Sequence, residues 1–375
     1  MTEHESFVAL NLATGWGPIT VARLMDGLGS ARAIVESRTR EWVEAGAGIS
    51  PERAGALRDA LDAVDVADEL DRARRLGVTL LSWVSPEYPP LLKAIADPPL
   101  ALYVRGSLAA LSAPCVAMVG TRHATVYGRE TARRLAYQVA AAGYVVVSGL
   151  ARGIDTEAHR GAVQAKGRTI GVLGGALDRF FPRENIELAA SIVENGGAIV
   201  SEFPFGMEPD KTTFPRRNRV VSGLSRGTVA IEAPLRSGTL ITTSQALEQD
   251  RAVMAVPGPV DSPSSAGCHQ LIRAGARLVS TADEILEELD DLAFGAARRV
   301  PQPGPAPAPA PSPPLSTLSP DERRIVQALE NGPEHVDAIV RVTGLAAGKV
   351  GALVTGLQIK RLVKLLPGGM VSLAK

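Results

Sequence analysis

At 375 residues the chain is long enough for two or three domains, and 40 basic side chains set against 40 acidic ones exclude the bulk positive charge that coats nucleic acid in a histone-like way. A content of 45% hydrophobic and 21% charged residues describes a soluble, globular chain. No apolar run is long enough to span a bilayer, Met1–Phe7 is too polar for a signal peptide, and two lone cysteines, Cys115 and Cys268, make no disulfide framework, so a reducing cytoplasm is expected.

The first segment, 1–77, is predicted to be a small helical domain. In "LATGWGPITVARLM" (Leu12–Met25), Gly15 and Gly17 precede a helix in the manner of a helix-hairpin-helix (SAM-like) turn. "AGAGISPERAGALRDAL" (Ala45–Leu61) reads as a degraded second copy. Such turns aim backbone N–H groups at a phosphate. Only Arg23 adds charge there, so packing or protein contact stands as the competing reading.

The segment 78–297 alternates two periodicities. Val- and Ile-rich runs read as buried parallel strands: "CVAMVG" (Cys115–Gly120), "YVVVSGL" (Tyr144–Leu150), "RTIGVLGG" (Arg168–Gly175), "GAIVSEF" (Gly197–Phe203), "TVAIEAP" (Thr228–Pro234) and "AVMAVPG" (Ala252–Gly258). Helical patterns such as Gly128–Gly143 and Gly238–Asp250 lie between them, and "VTLLSW" and "LYVRG" add strands upstream. Strict alternation predicts an α/β fold, an extended Rossmann-like, doubly wound, mostly parallel sheet. The acidic run Ala282–Leu292 is read as a solvated helix.

Alternating Pro and Ala in "RRVPQPGPAPAPAPSPPLS" (Arg298–Ser316) mark 298–314 as a polyproline-like linker. The remainder, 315–375, reads as a capped helix, a helix-turn-helix and a hairpin, which is a winged-helix-like domain. It carries eight Lys/Arg against five Asp/Glu, and its second helix offers only Lys349 and Lys360–Arg361, which is thin for base readout. Partner contact or weak duplex binding is the expected use.

Open sheets bind ligands beyond the carboxyl ends of their strands. The loops there carry glycine and arginine but little catalytic equipment. "GVLGGALD" is not the dinucleotide fingerprint, no P-loop occurs, and no cofactor or metal is expected. Asp155 and His159, four apart on a helix, suit an acid/base pair, two metal ligands, or a helix cap beside a structural hydrogen bond. Ser237 lacks a nucleophile motif.

Anion grip is better supplied, by Arg122, Lys211, Arg216, Arg217, Arg219 and Arg236, with backbone donors at Ser237, Gly238 and Thr239 before a helix. From Lys211 to Arg226 the chain carries five positive charges and no acid. Five of the seven phenylalanines, at 180, 181, 203, 205 and 214, fall in or beside these loops. Cations with aromatic rings suit single-stranded nucleic acid, whose phosphates the charges track and whose bases stack on the rings. Phe181 and Phe203 are expected to close the core, and Phe214 to stack. The apolar side of the stretch, Phe214, Val220, Val221 and Leu224, anchors a helix. Arg217 is expected to face the sheet mouth, and at least one neighbouring arginine to pair with Glu202 or Glu232.

Together these loops resemble the DNA-processing protein A (DprA/Smf) family. The resemblance covers about Tyr88–Leu278 and rests on "YPPLL", "DPPLALYVRG", "VGTRHATVYG", "SGLARGIDTEAHRGAV", "TIGVLGGALDRFFP", "SEFPFG", "FPRRNRVVSGLS", "EAPLRSGTLITTSQALEQDR", "AVPG" and "GCHQLIRAGA" in that order. One departure is Thr125, where serine is expected and the hydroxyl is kept. The resemblance implies a cytoplasmic, non-enzymatic recombination mediator that binds single-stranded DNA, forms a homodimer and loads the RecA recombinase during natural transformation or repair. The implied DNA pocket includes Gly120, Thr121 and Arg122, then Lys211 and Phe214, then Arg216, Arg217, Asn218 and Arg219. The implied dimer and recombinase surface holds His269, Ile272 and Leu278. A nucleotide- or phosphate-binding Rossmann-like hydrolase is the alternative, and the terminal domains are candidates for duplex DNA.

Overall fold

The computed structural model describes residues 1–297, 318–329, 332, 334–360, 362–366 and 370–373; the 298–314 linker expected from the sequence lies outside them. The chain divides into two compact units, Met1–Arg299 and Val300–Lys375.

The first unit begins with six helices: α1 (Glu3–Leu12), α2 (Pro18–Leu28), α3 (Ala31–Glu36), α4 (Thr39–Glu44), α5 (Pro51–Asp62) and α6 (Val66–Arg75). Polar starts set several of them, since Thr2, Ser30, Ser50 and Asp65 each accept a hydrogen bond from a first-turn N–H. Gly17 is the N-cap of α2, and Trp16 beside it donates its indole N–H to Leu57 O at 3.1 Å while its ring meets Trp42 edge-on. Trp16, next to the first of the two hairpin-like turns, thus packs on the helix that follows the second. The helices share one core with the sheet. Phe7 lies 5.2 Å from the Trp83 ring, and buried Glu69 accepts from both Tyr103 Oη and Phe205 N.

The sheet is built from β1 (Thr79–Ser82), β2 (Ala101–Gly106), β3 (Cys115–Gly120), β4 (Val145–Ser148), β5 (Thr169–Val172), β6 (Ala198–Ser201), β7 (Gly227–Glu232), β8 (Ala252–Ala255) and β9 (Arg277–Leu278). Two short helices, α7 (Pro90–Lys93) and α8 (Leu108–Leu111), flank the early strands. The crossovers are α9 (Val126–Ala141), α10 (Ile154–Gln164), α11 (Ile186–Glu194), α12 (Thr213–Gly223) and α13 (Gly238–Glu248), followed by α14 (Ala266–Arg273) and α15 (Ala282–Ala297).

Spatial order is β1-β2-β6-β5-β4-β3-β7-β8-β9, with β3 to β9 mutually parallel and β2 antiparallel to both β1 and β6. This is the mixed, mostly parallel doubly wound sheet that the alternating pattern predicts. Strands β3, β4, β5, β6 and β7 are buried along nearly their whole length, which explains their unbroken apolar runs. The strand order reverses between β3 and β7, and such a switch point opens a crevice above the strand ends.

The second unit holds α16 (Pro320–Ala328), β10 (Glu334–His335), α17 (Val336–Thr343), α18 (Ala347–Ile359), β11 (Val363–Leu366) and β12 (Met370–Leu373), with its sheet in the order β10-β12-β11. Ile325, Ile339, Val350, Leu357 and Val371 form its core. This is the winged-helix arrangement. Lys349 pairs with Asp321 at 2.7 Å and Lys360 with Glu322 at 2.7 Å, so both described lysines of the proposed reading helix are engaged within the domain.

Candidate nucleic-acid interface

The crevice at the switch point has a volume of about 510 Å³. Its floor is the end of β3, where Gly120 leads to Thr121 and Arg122, together with Gly149 after β4. One wall is Lys211, Phe214, Arg217 and Asn218; the other is Arg236 and the start of α13, at Ser237, Gly238 and Thr239. The sequence-predicted residues therefore converge from three separate segments, those that follow β3, β6 and β7, with Arg216 and Arg219 as the exceptions.

The Lys211 loop is set by its neighbour. Asp210 Oδ1 accepts from Thr212 N at 2.6 Å and Thr213 N at 2.8 Å, and Thr213 Oγ1 accepts from Asp210 N. Its hydrogen bonds with Thr212 and Thr213 hold the Asp210 carboxyl below the usual range. This knot closes the start of α12 and leaves Lys211 exposed. Phe214 is half-buried one turn later. The Arg122 guanidinium lies 4.8 Å from its ring centroid, and the Phe181 ring is 6.2 Å away. Phe181 is 47% exposed, so it does not close the core as expected. It lines a side recess with Phe214, Arg122 and Arg152. Phe203, by contrast, is buried as expected.

The four residues of "RRNR" separate by depth. Arg217 is only 4% exposed and donates from one guanidinium nitrogen to the carbonyls of Gly149 and Val172, at the ends of β4 and β5. It does face the sheet mouth and lines the crevice, with Nη1 engaged by backbone and Nε by Asn218 Oδ1 at 3.2 Å, so it is a buried, partly engaged guanidinium rather than an exposed cation. A Cβ at Gly149 would sit 2.6 Å from Arg217 Cζ, so glycine is required where the guanidinium lies on the backbone. Arg219 is also buried, bridging Glu202 at 2.6 Å and Asp97 at 3.0 Å, and Arg216 lies over the Phe203 ring with Glu202 at 3.5 Å. Glu202 is therefore the structural acid. Arg219 is an internal ion pair and does not line the crevice. Glu232 instead accepts from Thr125 N at 2.9 Å, tying the Arg122 loop to β7.

Asp155 and His159 settle into the structural alternative. Asp155 accepts from Gly149 N at 3.1 Å and Ala151 N at 3.4 Å, fixing the loop after β4 rather than capping α10, whose N-cap is Gly153. Burial raises its carboxyl pKa, against the pull of the Arg217 charge. His159 is fully buried with Nδ1 on Thr169 Oγ1 at 2.7 Å, and burial, reinforced by Arg217, lowers it to about 3. Burial likewise lowers Arg217 to about 10, opposed by Asp155, which leaves it charged at neutral pH. Ser237 Oγ has no hydrogen-bond partner, hence no base to activate it, and no cluster of metal-ligating groups occurs among the described residues. The crevice can grip an anion and a ring; it holds no assembled proton-transfer pair.

Of the residues implied for a dimer surface, His269 donates from Nε2 to Gly258 O at 3.0 Å, Ile272 packs beside Cys268, and Leu278 is 47% exposed on the edge strand β9.

Residues 79–290 match the family model DNA recombination-mediator protein A, and residues 306–369 match the DprA winged helix domain. Protein Smf of Escherichia coli (strain K12) is 42% identical over 295 residues, spanning 77% of this chain and 75% of that protein. The DNA processing protein DprA of Bacillus subtilis (strain 168) is 38% identical over 254 residues, spanning 64% and 85%. Among solved structures, DprA from Streptococcus pneumoniae superposes with a TM-score of 0.67 at 32% identity, covering 77% of this chain and 98% of that one. DprA from Helicobacter pylori, whose structure is described for a unique single-stranded DNA binding mode, gives 0.51 at 29% identity, covering 58% and 96%.

Proposed function

The chain belongs to the DNA recombination-mediator protein A (DprA/Smf) family of DNA-processing proteins, and from that premise we propose that its switch-point crevice binds single-stranded DNA without hydrolysing it. The observation that carries the reading is the convergence of exposed Arg122 and Lys211 around the half-buried Phe214 ring, in one open crevice. Charge for the phosphate and a face for the base are what sequence-tolerant single-strand binding needs. Gly120, Thr121, Asn218 and the start of α13 at Ser237, Gly238 and Thr239 complete the contact surface, and the relative from Helicobacter pylori supports the choice of ligand.

The same reading assigns delivery of the bound strand to the RecA recombinase, in natural transformation or repair, and a cytoplasmic homodimer joined through His269, Ile272 and Leu278. Support for that surface is the open edge of β9 beside exposed Leu278, since an edge strand can pair with a second copy. We take 1–77 and 315–375 as the accessory domains, on either side of the DNA-binding domain 78–297 and the linker 298–314, and as the parts available to duplex DNA or partners. No helix among the described residues is long and apolar enough to cross a membrane. The test is equilibrium titration of the full chain with single- and double-stranded oligonucleotides beside a product assay on a nucleotide panel. Preferential single-strand binding without product release is the expected result; product release would favour a hydrolase.

A further inference from the structure

We propose that the single-strand site does not end at the crevice but continues as a basic track over α9 and α10, so that a longer strand leaves past Arg122 and runs along Arg129, Arg133 and Arg160. This rests on the single-strand reading above and extends it to residues that no crevice contact requires. Three depressions join end to end. Arg122 lines both the crevice and a second hollow with Arg129, Arg152 and Arg160, and Arg129 and Glu157 line both that hollow and a third, which reaches Arg133, Arg134 and Tyr137.

The track has the chemistry of a phosphate backbone path. The second and third hollows carry six arginines against three glutamates. Glu157 is only 4% exposed and works as an anchor, holding Arg133 Nε at 2.8 Å and Arg160 Nη1 at 2.9 Å so that both guanidiniums are fixed at the surface with donors to spare. Arg152 is paired with Glu184. Positions 129, 133 and 137 repeat every four residues on α9, which stacks them on one face at intervals of about 6 Å. Tyr137, at the far end and 45% exposed, offers a ring for one more base. An acidic protein segment would supply repeated charge but no base to stack on the exposed Tyr137 ring, so the strand is the favoured occupant.

The experiment is anisotropy titration of the full-length protein with oligothymidylates of roughly six and roughly twenty nucleotides, lengths bracketing one site of this kind. The variants are Arg129→Ala/Arg160→Ala and Glu130→Lys, the latter adding charge on the exposed wall of the third hollow. Wild type should bind the long oligonucleotide at least about tenfold tighter with a steeper salt slope. The double alanine variant should lose most of that gain and about one unit or more of slope while keeping its affinity for the short one. Glu130→Lys should tighten only the long one. Equal loss for both lengths, or an unchanged gain in both variants, overturns the track. Failure of wild type to bind either length overturns the single-strand reading itself, and the track with it.

Discussion

The Arg122 guanidinium lies 4.8 Å from the centroid of the Phe214 ring, so the residue best placed to hold a phosphate also covers the ring best placed to hold a base. The two come from loops more than ninety positions apart in the sequence and act as one element. Arg122→Ala should weaken single-strand binding and flatten its salt dependence by about 0.7 of a unit, the share of one phosphate. Phe214→Ala should cost about 1–3 kcal/mol with little change in slope. A double-mutant cycle by fluorescence titration should give losses that do not add, because each change alters the other's surroundings.

Lys211 and Arg217 should behave oppositely although both are basic and line the same crevice. Lys211→Ala should leave the urea midpoint where it is and weaken DNA binding. Arg217→Ala removes a buried guanidinium that satisfies the Gly149 and Val172 carbonyls, and should destabilise the fold by about 3 kcal/mol. Arg217→Lys should restore only part of this, because an ammonium can meet a carbonyl but loses the Nε bond to Asn218 Oδ1. Chemical denaturation beside a binding titration separates the two effects.

Gly174→Ala tests the ring without touching charge. A Cβ there would lie 2.7 Å from the Phe214 ring, so the ring must shift. The variant should lose affinity at every salt concentration with an unchanged slope. Retained affinity would show that the ring's position is immaterial.

Acid stability carries the signature of His159. Its pKa is about 3 in the fold against 6.5 for an ordinary imidazole, so the unfolded chain takes the proton first. The stability it contributes is complete above about pH 6.5 and is lost as the pH falls from there toward 3, at up to about 1.4 kcal/mol per unit. Asp155 has the opposite sign: its raised pKa means that the folded state takes that proton first, which offsets part of the loss at the acid end. Urea midpoints measured from pH 7 to pH 4 should fall steeply for wild type and less steeply for His159→Gln.

Strands β3 to β7 were legible because each is buried along nearly its whole length and reads as an unbroken apolar run, whereas the two-residue edge strand β9, with Leu278 exposed, carries no such run. The crevice was legible because strand-end loops in such sheets gather wherever the strand order reverses. The depth of each arginine in "RRNR" was not. It depends on Glu202 and Asp97, which are remote in sequence, and on carbonyls of β4 and β5 that carry no side-chain signal. Phe181 was misplaced for a related reason, since "RFFP" gives two rings and no sign of which turns outward; Phe180 packs into the core and Phe181 stays open. The α9–α10 arginines carry no signal in the sequence, since their alignment depends on how the two helices pack and on the buried Glu157 that holds Arg133 and Arg160.

The most direct test of the central claim is a single-stranded DNA titration of the triple variant Arg122→Ala/Lys211→Ala/Phe214→Ala against wild type at low salt, with both shown to be folded by their urea transitions. The crevice account predicts tight wild-type binding that weakens steeply with salt, and loss of nearly all specific affinity in the variant. Undiminished binding by a folded variant would contradict it.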